Sequence, residues 1–191
     1  METKKRIVIS GYYGFDNTGD EAVLYSIIQA IENEHKDEPV EIVVLSNNPQ
    51  KTSDLYNVGA INRWDIKAVY KEIGNCHVLI SGGGSLLQDV TSSKTIPYYL
   101  LIIKIALWHK KKVVFYSQGI GPVNQWYSKL LVKNIVNKVD YIFVRDTTSK
   151  KTLRDMGVRK PPIEVSADPV LGMKVDDDIK SSIKTLIQGY G

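Results

Sequence analysis

The run Val78-Leu79-Ile80-Ser81-Gly82-Gly83-Gly84-Ser85 sets the frame for the whole chain. Its first four residues are the short apolar run of a strand buried on both faces. Three consecutive glycines end it. Glycines placed there let backbone amides turn toward one point and form a nest for a phosphate or carboxylate. The plainer reading is a tight turn that clears a neighbouring strand. Similar runs recur on both sides, at residues 6–10 (RIVIS), 41–46 (EIVVLS), 112–117 (KVVFYS), 140–144 (DYIFV) and 163–166. Helical spacing fills the gaps. Apolar residues at 23, 24, 27, 28 and 31 predict a helix over 20–34, and further helices are predicted over 65–73, 96–108, 125–138 and 147–156. Residues 49–63 read as a short helix and a weak strand around 60–62.

Short apolar strands alternating with helices predict a parallel sheet covered on both faces. The expected class is α/β, a Rossmann-like doubly wound domain over residues 1–172. Residues 173–191, with a helical pattern over 175–188, read as a C-terminal helix or the start of a second domain. The composition, 43% apolar and 24% charged in 191 residues, is that of a soluble globular chain. A single cysteine, Cys76, excludes a disulfide scaffold and any multi-cysteine zinc or iron–sulfur site. His35, His77 and His109 show no paired metal-ligand spacing, so neither metal nor cofactor is expected. The opening METKKRIVIS runs into a strand without signal-peptide architecture, which predicts a cytoplasmic location. The apolar stretch 96–108 falls short of the ~20 residues a bilayer span needs.

The net charge of +4 is unevenly spread. Residues 1–90 hold 8 Lys and Arg against 13 Asp and Glu, whereas residues 91–160 hold 14 against 3. Such asymmetry fits an anionic ligand or surface facing the middle of the chain, or else solvated helix faces. No recognisable nucleic-acid motif accompanies it, so nucleic acid is not an expected partner.

Ligands of open α/β sheets bind beyond the carboxyl ends of the strands, which directs attention to three loops. The first, residues 11–21 (GYYGFDNTGDE), delivers the chain to a helix amino terminus, where backbone N–H groups favour an anion. Asp20 suits either the N-cap of that helix or a functional carboxylate. The spacing is not the dinucleotide fingerprint, and Walker A is absent. Tyr12 and Tyr13 read as an exposed aromatic pair in this loop. The second loop is the glycine run at 82–84, and the third is Ser117-Gln118-Gly119-Ile120-Gly121-Pro122. Arg145, after the strand at 140–144, offers a bidentate fork to an anion or pairs with Asp146 at the surface. Cys76 and His77 read as core or strand-end residues, and Trp64, Trp108 and Trp126 as packing residues.

The runs ISGYYGFDNTGDEAVL, LISGGGSLLQDVTSSKTIPYYL, VVFYSQGIGP and YIFVRDTTSKKTLRDMGV together resemble the polysaccharide pyruvyl transferase family. The likeness is strongest to bacterial members that pyruvylate secondary cell-wall polysaccharides, the anchors of S-layer proteins. It extends from about residue 7 to 172. The resemblance implies a GT-B-like enzyme in which two Rossmann-like domains face each other without an obligatory metal. It implies phosphoenolpyruvate as donor, a cyclic ketal as product and phosphate as leaving group. The implied acceptor is N-acetylmannosamine in a lipid-linked cell-wall polysaccharide at the inner face of the membrane. A two-domain member runs to roughly twice this length, so the chain is expected to be the amino-terminal half. The basic residues and histidine of the family's second domain then have no counterpart here.

Convergence of the loops at one sheet edge makes Asp20 and Asp16 the acid/base candidates. Arg145 with Gly82, Gly83, Gly84 and Ser85 is expected to hold the anionic donor, and Tyr12, Tyr13, Asn17 and Gln118 the acceptor. Two alternatives stay open. One is a nucleotide-sugar glycosyltransferase domain of GT-B type, and the other a non-catalytic module that binds anionic polymers. Peripheral membrane contact and a homo-oligomer are further expectations.

Overall fold

Successive residues of the first strand point to opposite sides. Ile7 and Ile9 enter one apolar cluster and Val8 the other. Both sides of the strand are therefore buried, and its sequence reads as a continuous apolar run instead of an alternating one. The same holds for Ile42 to Leu45, and Leu79 and Ile80 divide in the same way. The computed structural model describes residues 4–172 except 37, 39 and 91–93. The helix expected over 175–188 lies outside the described residues.

Seven strands form one parallel sheet: β1 (Lys5–Tyr13), β2 (Val40–Ser46), β3 (Gly59–Asn62), β4 (Val78–Gly82), β5 (Lys112–Gln118), β6 (Tyr141–Val144) and β7 (Ile163–Val165). Their order is β3-β2-β1-β4-β5-β6-β7. The chain winds one way from β1 and the other way from β4, which is the doubly wound topology the alternation predicts. The connecting helices are α1 (Thr18–Glu34), α2 (Pro49–Tyr56), α3 (Ile66–Asn75), α4 (Thr95–Trp108), α5 (Trp126–Val136) and α6 (Thr147–Asp155), followed by a 3-10 turn at Pro169–Gly172. Helix α1 buries Leu24, Ile27 and Ile28 against one face of the sheet. Helices α3, α4, α5 and α6 cover the other, with Ile73, Ile102, Val132 and Leu153 among the buried side chains. Each fully buried aliphatic side chain contributes about 1.5–3 kcal/mol.

Two expectations are corrected here. Strand β1 does not stop at Ser10 but continues through Gly11 to Tyr13. Its alternation leaves Tyr12 exposed and buries Tyr13, which is 1% accessible, so the two tyrosines are not an exposed pair. The three tryptophans are exposed, not packed inside. Trp64 follows the edge strand β3, while Trp108 and Trp126 stand at the ends of α4 and α5. The inward positions of those two helices are filled by Ile, Leu, Val and Ala instead.

Candidate functional site

The switch point of the sheet lies between β1 and β4, and the loops leaving their carboxyl ends meet there. Gly83 turns the chain with φ +65 and Gly84 with φ +62, values that L side chains rarely adopt. A Cβ on Gly83 would strike Val23 of α1. Tyr13 donates its hydroxyl to the Gly82 carbonyl at 2.8 Å, and the Gly83 amide bonds the Tyr116 carbonyl at 3.1 Å. Gly82 and Gly83 are buried and serve close packing, whereas Gly84 and Ser85 reach the surface of the cleft.

Asn17, not Asp20, caps α1. Its Oδ1 accepts from the amides of Gly19 at 3.1 Å and Asp20 at 3.3 Å. Glu21 folds back to accept from the Gly14 amide and the Tyr56 hydroxyl, both at 2.8 Å, and so pins the first loop. Asp20 is thereby free of structural duty. Its carboxylate takes no hydrogen bond from the described residues and is half-buried. Burial first, and the neighbouring Glu21 charge second, hold its pKa above the ordinary carboxyl value.

Asp20 lies where two cavities adjoin. One, of about 490 Å³, is lined by Asp20, Gly84, Arg145 and Asp168 along with Asn17 and Gly19. The other, of about 320 Å³, is lined by Asp20, Asn17, Tyr12, Ser85, Gln88, Thr95 and Tyr99. Arg145 donates from Nη2 to Ser85 Oγ at 3.1 Å, and its Nε stands 3.5 Å from Asp146. A Cβ on Gly119 would lie 2.7 Å from the Arg145 guanidinium, so this glycine makes the room Arg145 occupies. Asp146 is itself the N-cap of α6, accepting from the Ser149 amide at 2.6 Å. The ring of Tyr12 is stacked on Phe15 at 4.1 Å.

The structure brings Asp20, Asn17, Tyr12, Gly84, Ser85 and Arg145 together, but not every expected site residue. Asp16 turns toward α2, where it pairs with Lys51 at 2.6 Å beside a separate cavity with Gly14, Thr18 and Glu21. Gln118 is fully buried, donating to Ser81 Oγ at 3.0 Å while its Oε1 has no partner among the described residues. The third glycine loop spends its amides internally. Gly119 bonds the Gly84 carbonyl, Gly121 the Leu87 carbonyl, and Ile120 the Ser149 hydroxyl. It braces the second loop instead of opening to a ligand.

Sequence reasoning passed over Asp168, Gln88, Thr95 and Tyr99. Asp168 reaches the cavity because Ser117 Oγ bonds both Ser166 Oγ and the Ala167 carbonyl. It also passed over Arg63, a buried cation behind the first loop. Arg63 donates to the Gly11 carbonyl at 2.8 Å and to the Tyr99 hydroxyl at 3.2 Å. Its guanidinium lies 4.5–5.4 Å from the rings of Phe15, Trp64, Tyr98 and Tyr99. A basic residue between a strand of small residues and a tryptophan gave a signal, but not one that separates a caged arginine from a surface one. Among the described residues no group of three His, Cys, Asp or Glu could hold a metal ion.

These features define a Rossmann-like domain whose cleft sits at the topological switch point, with a carboxylate between an arginine-bearing cavity and an aromatic one. The chain belongs to the polysaccharide pyruvyl transferase family, whose model matches residues 17–188. Among solved structures, Alr3699/HepE of Anabaena, crystallised with UDP-glucose, superposes with a TM-score of 0.59 at 11% identity. That match covers 96% of this chain and 50% of the Anabaena chain, so this chain spans half of that relative's length. An α-glucosyltransferase solved with UDP and a 13-mer DNA matches at a TM-score of 0.47 and 15% identity, over 84% of this chain and 40% of that one. At 11% identity the likeness to the Anabaena structure is one of fold. No curated protein matches significantly.

Proposed function

We propose that the chain supplies one lobe of a pyruvyl transferase that moves the pyruvyl group of phosphoenolpyruvate onto two hydroxyls of a polysaccharide sugar. The observation that carries this reading is the position of Asp20. One cavity beside it offers Arg145 and Gly84 to an anion. The other offers an aromatic face and polar side chains to a saccharide. A carboxylate at that junction can reach both a sugar hydroxyl and the donor.

The chemistry balances as follows. Asp20 removes the proton of the first hydroxyl as its oxygen attacks C2 of phosphoenolpyruvate, and that proton passes from Asp20 to the methylene carbon, which becomes a methyl group and leaves the carboxylate as it began. The C2–O bond to phosphate then breaks, with Arg145 and neighbouring amides stabilising the leaving anion. The second hydroxyl closes the ketal, and its proton leaves with the phosphate. A raised pKa makes Asp20 a stronger base than an ordinary carboxylate, which suits this role. The acceptor fitted best by the family is a cell-wall saccharide such as N-acetylmannosamine on a lipid carrier.

The test is release of phosphate or of UDP by the complete enzyme, supplied with a saccharide acceptor and either phosphoenolpyruvate or UDP-glucose. Consumption of phosphoenolpyruvate, lost in Asp20→Asn and Arg145→Ala, is the expected result. Turnover of the nucleotide sugar, or variants as active as the parent, overturns the reading.

A further inference from the structure

The described surface outside the cleft carries one combination of charge and apolarity that the proposed chemistry does not use. Residues 90–139 contain no Asp or Glu and eight lysines. Helices α4 and α5, which lie within this segment, pack side by side on one face of the sheet. Their outward positions are apolar to an unusual degree. Along α4 the exposed stripe is Pro97, Leu101, Lys104 and Trp108. On α5, Leu130 and Leu131 are exposed, and Trp126 at its start is 75% accessible. Lys104 Nζ stands 4.9 Å from the Trp108 ring. Lys133 and Lys138 of the same region are exposed and enter no ion pair among the described residues.

We infer that the outer face of α4 and α5 docks on an anionic lipid surface. Apolar and indole side chains ringed by lysine are the composition of a surface lying in the headgroup layer, where tryptophan is at home and lysine meets phosphate. No helix of the described residues is long and apolar enough to cross a membrane, so the contact is peripheral. A second copy of this chain fits the face poorly. A two-fold contact would set lysines against lysines with no acidic residue of the segment to pair them.

The face also adjoins the cleft. Asp89, one residue beyond Gln88, accepts from the amides of Asn124 and Gln125 at 2.9–3.0 Å and so ties the start of α5 to the second loop. The start of α5 is thus joined through Asp89 to Gln88, which lines the Tyr12 cavity that the proposed lipid-linked saccharide would enter. That last step rests on the proposed acceptor, while lipid binding itself does not.

The experiment is cosedimentation of the complete protein with phosphatidylcholine vesicles, with and without phosphatidylglycerol, in the absence of phosphoenolpyruvate. Binding that requires phosphatidylglycerol, with a blue shift of tryptophan emission lost in Trp108→Phe/Trp126→Phe, is expected. Lys104→Gln/Lys133→Gln/Lys138→Gln should weaken binding about a hundredfold, at roughly fivefold per lysine. Trp126→Ser/Leu130→Ser should weaken it about tenfold, with an unchanged thermal melt. No dependence on phosphatidylglycerol overturns the inference, as does binding indifferent to Trp126 and Leu130. So does a dimer in sedimentation equilibrium that Trp126→Ser dissociates. Because no donor is present, failure here leaves the pyruvyl transfer reading standing, and the converse holds.

Discussion

The two ends of the sheet treat charge in opposite ways. At the amino end Arg6 sits between Glu41, which it grips through Nε and Nη2, and Glu72, 2.9 Å from Nη1. His77 Nδ1 accepts the Arg6 amide, and Asp140 accepts the Val113 amide. Each of these groups has its complement. At the carboxyl end, among the described residues, Asp20 is half-buried without a donor and Gln118 Oε1 is buried without a partner, while Arg145 shares itself between Ser85 and an Asp146 carboxylate 3.5 Å away. Unmet polar groups raise the free energy of the fold, and a ligand that meets them recovers it. One end pairs its groups within the fold, and the other leaves some of them for the ligand of the proposed reaction.

The largest effect should come from Asp20→Asn. Turnover of phosphoenolpyruvate should fall about 10²- to 10⁴-fold while the melting temperature holds or rises, measured by phosphate release and calorimetry. A variant that instead melts early would erase the contrast. Gly83→Ala forces a Cβ onto Val23 at a positive φ and should cost about 2–3 kcal/mol in urea unfolding. Arg6→Ala should cost about 2 kcal/mol of stability yet leave the rate per folded molecule unchanged. Ser85→Ala should reverse that pattern, with about a tenfold loss of kcat/KM for the donor and a normal melt, because it frees the Arg145 side chain.

The smallest effect is in the pH dependence of stability. A carboxyl whose folded pKa is raised binds its proton more tightly when native. Stability therefore falls as pH rises through the window between the ordinary carboxyl value and Asp20's raised one. Asp20→Asn should be more stable than the parent above that window and gain nothing below it. Asp146 has the opposite sign, because the Ser149 amide lowers its pKa. Its contribution is present above the ordinary value and is lost as pH falls through the lowered one. Unfolding curves across the acid range separate the two through Asp20→Asn and Asp146→Asn.

Much of the fold was legible because a strand buried on two sides must be apolar throughout. Residues 6–10, 41–46 and 112–117 announce β1, β2 and β5, and even the ambiguous 49–63 resolves into α2 and β3. The candidate site was legible only as loops. Strand β1 runs on through Gly11, a residue type that ends strands as often as it continues them, which turns Tyr13 inward. Asn17 and Asp20 are both capping residue types three positions apart, and only the backbone geometry decides between them. Asp168 enters the cleft through bonds from Ser117 that span about fifty residues, a distance no local pattern encodes. Arg63 defeats composition reasoning altogether, since a lone cation enclosed by rings looks like any surface arginine in one dimension.

That cage gives the molecule an optical gauge. Trp64 donates its indole N–H to Asn47 and lies 5.1 Å from Arg63, which in turn holds Tyr99 at the wall of the Tyr12 cavity. A saccharide that displaces Tyr99 therefore changes the electrostatic field at one indole. Emission from Trp64, isolated in a Trp108→Phe/Trp126→Phe background, becomes a direct titration of that cavity without label or turnover.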